Sequence, residues 1–438
     1  MELIINNIAK VKNAKINLDG ITVIVGNNDT GKSTIGKVLF ALFNSLNNIQ
    51  KKLKDEKNET FLRAFISVFR ELLPNDSERP FHFKNTSKYK FVGSKILNIL
   101  EQQKDNEESL LKSIIKVLKT EFANLLSEND YIFVEISQKV LSEYNRINNI
   151  PDKSALLTII SRYFSSVFDN QVGYLGKHLD FQSSTQIIIK NKSIELSFED
   201  DICYKIEYEL DITKKAIFID NPFVLDNLLE SELGAYVDKY LQFLLLKPRN
   251  TVLEQGAYDF VNINDKLLNI DLILNEIIHG SVIETDSDFV LQKDELSEDI
   301  HLQNLSTGLK SFILIKLLLQ KQILEEKDVL ILDEPEIHLH PEWQLKYAEA
   351  IVLLQKAFDL NIVITTHSST FLEAIDLFSK KHSNKQVCNY YLSKVDNSSG
   401  LSTFEDVTDS LDKVYKSLVT PTIALMRLRE ELEKDDND

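Results

Sequence analysis

The octapeptide Gly26-Asn27-Asn28-Asp29-Thr30-Gly31-Lys32-Ser33 constrains this chain more than any other stretch. It follows the apolar run Ile21–Val25. It opens a segment in which Ile35, Val38, Leu39, Leu42 and Phe43 recur at helical spacing. A glycine-bounded turn between a strand and a helix aims successive backbone N–H groups inward at the helix N-terminus, where phosphate oxygens are held. The full pattern G-x-x-x-x-G-K-[ST] adds Lys32, which reaches β- and γ-phosphates, and Ser33, whose hydroxyl can ligate Mg²⁺. The chain has only 12 glycines in 438 residues, well below the usual ~7%. Two of them stand here.

A second signal lies 301 residues beyond Lys32, where Val329-Leu330-Ile331-Leu332 runs into Asp333-Glu334-Pro335. An apolar strand of a parallel sheet delivers the residues after it to the carboxyl edge, where ligands bind. Alone, an acid pair at a strand end reads equally as a solvated loop. Beside a phosphate loop, Asp333 reads as a Mg²⁺ ligand and Glu334 as the group that orients and deprotonates an attacking water. Downstream, His338 and His340 have no nearby cysteine and are not at i, i+4. His340-Pro341 reads better as a helix start with proline in its first position.

Asn304-Leu305-Ser306-Thr307-Gly308-Leu309-Lys310-Ser311 precedes an amphipathic helix. Ser306 and Gly308 there read either as an ordinary helix cap or as a second anion-ready turn. Thr365-Thr366-His367-Ser368-Ser369 comes after a further apolar strand. The order is phosphate loop, Ser-x-Gly helix, Asp-Glu strand, late histidine. In that order the chain resembles the SMC/RecF/OLD-like ABC-type AAA ATPases. It is similar to prokaryotic anti-phage defence ATPases of the Septu/PtuA type.

The resemblance implies an ABC-type P-loop NTPase head of α/β class, with a mixed β-sheet, in which two heads sandwich ATP and Mg²⁺. Gly26, Asn27, Asn28, Asp29, Thr30, Gly31, Lys32, Ser33 and Thr34 match the Walker A motif. Asp333 and Glu334 match Walker B. Leu305–Lys310 match the signature motif, whose Ser306 and Gly308 would contact the γ-phosphate held by the opposite head. His367 matches the switch histidine. Catalysis would rest on Glu334, His367 and Lys32, and the metal on Ser33 and Asp333. The signature departs from transporter ATPases at Thr307 and Leu309, and no aromatic precedes Phe40 to stack on adenine. No glutamine marks a Q-loop; Asn221 is a weak candidate.

The expected organisation is a discontinuous head, 1–44 and 184–438, interrupted by a mainly helical inserted lobe at 45–183. Closing helices are expected over about 405–438. In the lobe, Leu110, Leu111, Ile114, Ile115, Leu118, Phe122 and Leu125 keep a helical rhythm. Strands are expected at Leu3–Ile5, Lys15–Leu18, Ile187–Ile189, Ile194–Phe198, Ile202–Leu210, Ala216–Ile219, Ser281–Leu291 and Ile362–Thr365, with a hairpin at Asn191-Lys192.

The 67 acidic residues exceed the 50 basic ones, which argues against coating nucleic acid by bulk charge. A local stretch with no acid, Arg79, Lys84, Lys88, Lys90 and Lys95, is interleaved with Phe81, Phe83, Tyr89 and Phe91. It fits nucleic acid, a partner protein or plain packing. Cys203 and Cys388 are too few for a disulfide framework and read as small buried hydrophobes. No apolar run approaches the ~18 residues of a membrane span, so a cytoplasmic setting without membrane contact is expected.

After His367 only 71 residues remain, too few for the TOPRIM nuclease domain of OLD-type enzymes. The leading expectation is a switch ATPase that forms a homodimer or higher oligomer through the ATP sandwich. It would regulate a separate effector, such as an HNH nuclease or other toxin. The alternative is a RecF-like DNA-repair ATPase that binds DNA in an ATP-dependent way. A transporter subunit and a stand-alone nuclease fit less well.

Overall fold

The computed structural model describes residues 1–72, 86–102, 106–122, 130–175, 182–226, 228, 236–247, 257–285, 289–382, 388–396, 398–416, 418, 425 and 429. These divide into two compact units, Met1–Asn47 with Ile159–Asp438, and Asn48–Thr158.

The first unit is organised by an 11-stranded mixed sheet. Its N-terminal strands β1 (Glu2–Ile8) and β2 (Val11–Asn17) pair antiparallel. β3 (Ile21–Val25) is buried at all five positions and runs directly into the phosphate loop. Helix α1 (Lys32–Leu46) comes next. Gly36 lets α1 lie close on the sheet, because a β-carbon there would meet Ile331 and Phe218 at 2.7 Å. At the other end the Asn44 side chain donates to the Ala216 carbonyl at 2.8 Å and accepts the Ala216 N–H at 3.1 Å.

Beyond the second unit come β4 (Ser183–Ile189), β5 (Lys192–Glu199), β6 (Ile202–Tyr208) and β7 (Ala216–Ile219). The β4–β5 hairpin turns one residue earlier than the sequence suggests. Ile189 pairs with Lys192, so the turn is Lys190-Asn191. Both residues are left-handed (φ 48° and 65°), as a two-residue type I′ turn requires.

The expected single strand at Ser281–Leu291 is instead two, Ser281–Glu284 and Phe289–Gln292, paired antiparallel in a separate three-stranded sheet with Ile300–His301. The polar run Thr285-Asp286-Ser287-Asp288 interrupts the apolar alternation between them.

The C-terminal part carries β11 (Val329–Asp333), β12 (Asn361–Thr366), β13 (Cys388–Val395) and β14 (Ser402–Asp406), where β8 to β10 are the three short strands just described. β13 and β14, two strands of the main sheet that the sequence reading did not name, precede the span expected to hold the closing helices, with only the last residues of β14 reaching into it. Tyr390, Tyr391 and Leu392 give β13 a buried, aromatic-rich centre that parallel pairing accepts. A described helical stretch lies at 411–416; Ile423 and Leu432 lie outside the described residues.

The order through the centre is β13-β3-β12-β11-β7, all parallel. Register brings the carboxyl ends level: Thr366 pairs with Val25, Asp333 with Thr365 and Leu332 with Ile219. The loops leaving these strands therefore meet at one sheet edge.

The second unit is helical. It contains α2 (Ile49–Leu72), α3 (Thr86–Gln102), α4 (Glu107–Phe122) and α5 (Asp130–Asn148), while α6 (Asp152–Phe168) begins in it and ends in the first unit. Its core stacks Phe61, Phe65, Phe69, Val92, Ile96, Ile114, Leu118 and Phe122. The expected rhythm at Ile114, Leu118 and Phe122 is the buried stripe of α4. Among the described residues, no helix is long and apolar enough to cross a membrane.

Candidate nucleotide site

The phosphate loop is held in shape by two left-handed residues, Asp29 (φ 64°) and Gly31 (φ 74°). Aspartate tolerates that region better than most side chains, and glycine occupies it freely. Thr30 donates its hydroxyl hydrogen to the Asn27 carbonyl at 2.8 Å, and its oxygen lies 2.5 Å from that of Ser393 on β13. Gly26 is equally confined, since a β-carbon there would collide with Ser393 Oγ and sit 2.9 Å from the Ser393 carbonyl. A tail strand that the sequence did not reveal thus forms the floor of the loop.

Lys32 is buried and donates from Nζ to the Gly26 and Asn27 carbonyls at 2.9 and 2.8 Å. The same nitrogen is 3.5 Å from Glu334 Oε1. Asp333 and Glu334 are locked by one neighbour. Thr365 donates its hydroxyl to Asp333 Oδ1, and its hydroxyl and carbonyl oxygens both accept the Glu334 N–H at 3.0 Å. Glu334 is itself left-handed (φ 49°), a conformation that costs on the order of 1 kcal/mol or more and persists where surroundings over-determine it. His367 Nδ1 is 3.6 Å from Glu334 Oε1 and 3.7 Å from Glu336 Oε1, near both carboxylates but hydrogen-bonded to neither.

These groups surround a cleft of about 410 Å³ lined by Asn28 through Thr34, Asp333 and Glu334, with Lys10, Asp220 and Ile337. The last three were not singled out by sequence. Lys10 arrives from the β1–β2 turn and pairs with Asp29. Asp220 follows β7 at the level where Asp333 ends β11. The enclosing walls, then Asp238 and Asp333, push its carboxyl up to about 6. Asn221, the weak Q-loop candidate, instead accepts the Phe223 N–H at 2.6 Å and caps a short 3₁₀ turn.

Ser306 and Gly308 do not line this cleft. Ser306 comes after α7 (Tyr236–Leu246) and α8 (Ala257–Ile278) and precedes α9 (Thr307–Gln320); it is exposed and makes no side-chain cap bond. Gly308 is explained by packing within its own chain, since a β-carbon there would meet the His338 carbonyl at 2.9 Å and the Trp343 ring at 3.3 Å. Pro341 does open the next helix, α10 (Pro341–Phe358), with His340 at its N-cap, and His338 lies edge-on to Phe223.

In the basic stretch, Arg79 and Lys84 lie outside the described residues. Lys88, Lys90 and Lys95 sit on α3. Lys95 is 2.6 Å from Glu121 and lies over the Phe91 ring; Lys88 lies over Phe122. Tyr89, half-buried, stacks on Phe122 at 5.5 Å at the border of the helical core. Cys203 and Cys388 are free and buried.

Among the described residues no group of three or more His, Cys, Asp or Glu side chains is placed to hold a metal alone. The donor set suits Mg²⁺ nonetheless, because that ion usually takes one or two protein oxygens and completes its shell with phosphates and water. Ser33 and Asp333 supply two such oxygens on one cleft.

Two solved structures resemble the chain over most of its length while superposing only loosely. The SMC head domain from Thermotoga maritima is 11% identical, with a TM-score of 0.37, covering 93% of this chain and 98% of that one. An SMC head bound to the C-terminal winged-helix domain of ScpA is 9% identical, with a TM-score of 0.42, covering 93% and 97%. The family profile "AAA domain, putative AbiEii toxin, Type IV TA system" matches residues 21–373, a span that holds the phosphate loop, the Asp333-Glu334 strand end and His367. The chain belongs to this AAA family, AAA_21.

Proposed function

We propose that the protein is an ATP-driven switch whose two heads pair around Mg·ATP and control a separate effector in anti-phage defence. The observation that carries this reading is the division of the motifs. One cleft gathers the phosphate loop, Asp333 and Glu334 within reach of His367, while exposed Ser306 and buried Gly308 stand outside it at the start of another helix. A site so divided is completed when the partner's Ser306 and Gly308 close on the γ-phosphate.

Backbone N–H groups of Gly26–Thr34 would cradle the phosphates, and Lys32 would exchange its carbonyl partners for their oxygens. Ser33 and Asp333 would hold Mg²⁺, which when bound would spread the negative charge of the β- and γ-phosphates. Glu334 would take the proton from a water as the water oxygen adds to the γ-phosphorus and the bond from that phosphorus to the β–γ bridging oxygen breaks, ADP leaving with that oxygen, and His367 would report the γ-phosphate at the same edge. The defence role and the effector rest on the family resemblance.

The test compares two variants by ATP turnover and light scattering. Glu334→Gln is expected to bind ATP, lose turnover by about 100-fold or more, and accumulate as a nucleotide-locked dimer. Ser306→Arg is expected to bind nucleotide as a monomer without pairing. Normal hydrolysis by Ser306→Arg would sink the sandwich. ATP-dependent DNA binding by the purified protein would favour the repair reading instead.

A further inference from the structure

Behind the cleft lies a carboxyl group that the switch mechanism does not use. Glu336 is only 3% exposed. Its Oε1 accepts the Thr366 hydroxyl at 2.5 Å and the His367 backbone N–H at 3.2 Å. Its Oε2 is buried and has no hydrogen-bond partner among the described residues. Buried carboxyl oxygens are normally satisfied, and leaving one unmade costs about 1–3 kcal/mol. An apolar side chain of similar size would avoid that penalty. Local rules broken in this way concentrate at functional sites.

The geometry says what the group does. Thr366 ends β12, and His367 is the first residue beyond it. Oε1 therefore ties together the last strand hydroxyl and the first loop amide, and so sets where the imidazole leaves the sheet. That exit places Nδ1 3.6 Å from Glu334 Oε1. Thr366 is held in turn, its hydroxyl oxygen accepting the Ser368 N–H at 3.0 Å. The turn Glu334–Leu339 fixes Glu336 from its own side, with the Glu336 carbonyl accepting the Leu339 N–H at 3.0 Å.

We propose that Glu336 is a positioning residue for ATP hydrolysis, acting through Oε1 on the Thr366–His367 junction to aim His367 at Glu334 and the γ-phosphate. This rests on the ATPase reading of the same cleft. Burial also pushes the Glu336 carboxyl above the usual range, so a neutral glutamine, which keeps the Oε1 acceptor, is the conservative stand-in.

The experiment is a double-mutant cycle on the full chain, reading steady-state ATP hydrolysis and, separately, affinity for a fluorescent ATP analogue. Glu336→Ala is expected to lower kcat about 10- to 100-fold, the range of a small misplacement at a reacting centre. Analogue affinity should stay within about threefold. His367→Ala should cost about as much, and the double variant no more than the worse single one. Glu336→Gln should recover at least about tenfold of the alanine loss.

Additive losses, affinity falling in step with kcat, or glutamine performing no better than alanine would each overturn the proposal. If Glu336→Ala does not fold, Thr366→Val carries the same cycle, because it removes one of the two donors and leaves the carboxyl in place. A folded wild-type protein that binds nucleotide without turning it over would overturn the ATPase reading, and this assignment with it. Turnover with an additive cycle would overturn this assignment alone.

Discussion

The two units obtain their cores in opposite ways. In the helical unit the main core cluster of the described residues runs from Phe61 to Ile147, delivered by successive helices. In the sheet unit, β3 from the start of the chain lies between β12 and β13 from its far end. Local helical packing can give at one place without disturbing another. A parallel sheet edge cannot, because the level of each strand end depends on the register of its neighbours. The nucleotide cleft is built on the second kind of structure.

The widest test of that contrast is Phe65→Ala in the helical core. Emptying the space of a buried phenylalanine typically costs about 3–5 kcal/mol. Calorimetry and limited proteolysis should show residues 48–158 failing first, while ATP affinity stays within about threefold. A matching loss of ATP binding would show the units are not separable.

Gly26→Ala is the counterpart in the sheet unit. The added methyl group meets the Ser393 carbonyl as well as its hydroxyl, so a rotamer change cannot relieve it. Titration with a fluorescent ATP analogue should show affinity weaker by about 100-fold, the scale of a roughly 1 Å displacement at a reacting centre. Unchanged binding would mean that β13 does not shape the loop.

The smallest effect expected is on the thiols. Burial pushes the Cys203 thiol up to about 12 and raises Cys388 as well, so both remain protonated, and weakly nucleophilic, at ordinary pH. Intact-mass analysis after iodoacetamide at pH 8 should find the native protein unlabelled and the guanidinium-unfolded protein labelled twice. Rapid native labelling at Cys203 would show β6 opening, and at Cys388 would show β13 opening.

Legibility in the sequence divides along the same line. The phosphate loop, the Asp333 strand end and the helix start at Pro341 are local patterns, each carrying its meaning in a few adjacent residues. So is the buried stripe of α4. Lys10, Asp220 and Glu336 were not legible, because each acquires its place only when strands from distant parts of the chain come level. Ser393 is the clearest case. Cys388–Val395 has polar and aromatic residues mixed in a way that suits a strand or a helix, and only pairing with β3 decides it. The basic stretch is legible as charge, but the packing of half-buried Tyr89 against Phe122 is not.

The contact between Ser393 and the phosphate loop also bears on time. Gly26 emerges long before the strand that floors it, which is made more than 360 residues later. Contacts of such long separation form late. Until β12 and β13 arrive, both edges of β3 are open, the kind of surface on which chains aggregate. The nucleotide cradle is therefore finished long after its own loop is made, so a nascent chain has little means of binding ATP until β13 has emerged.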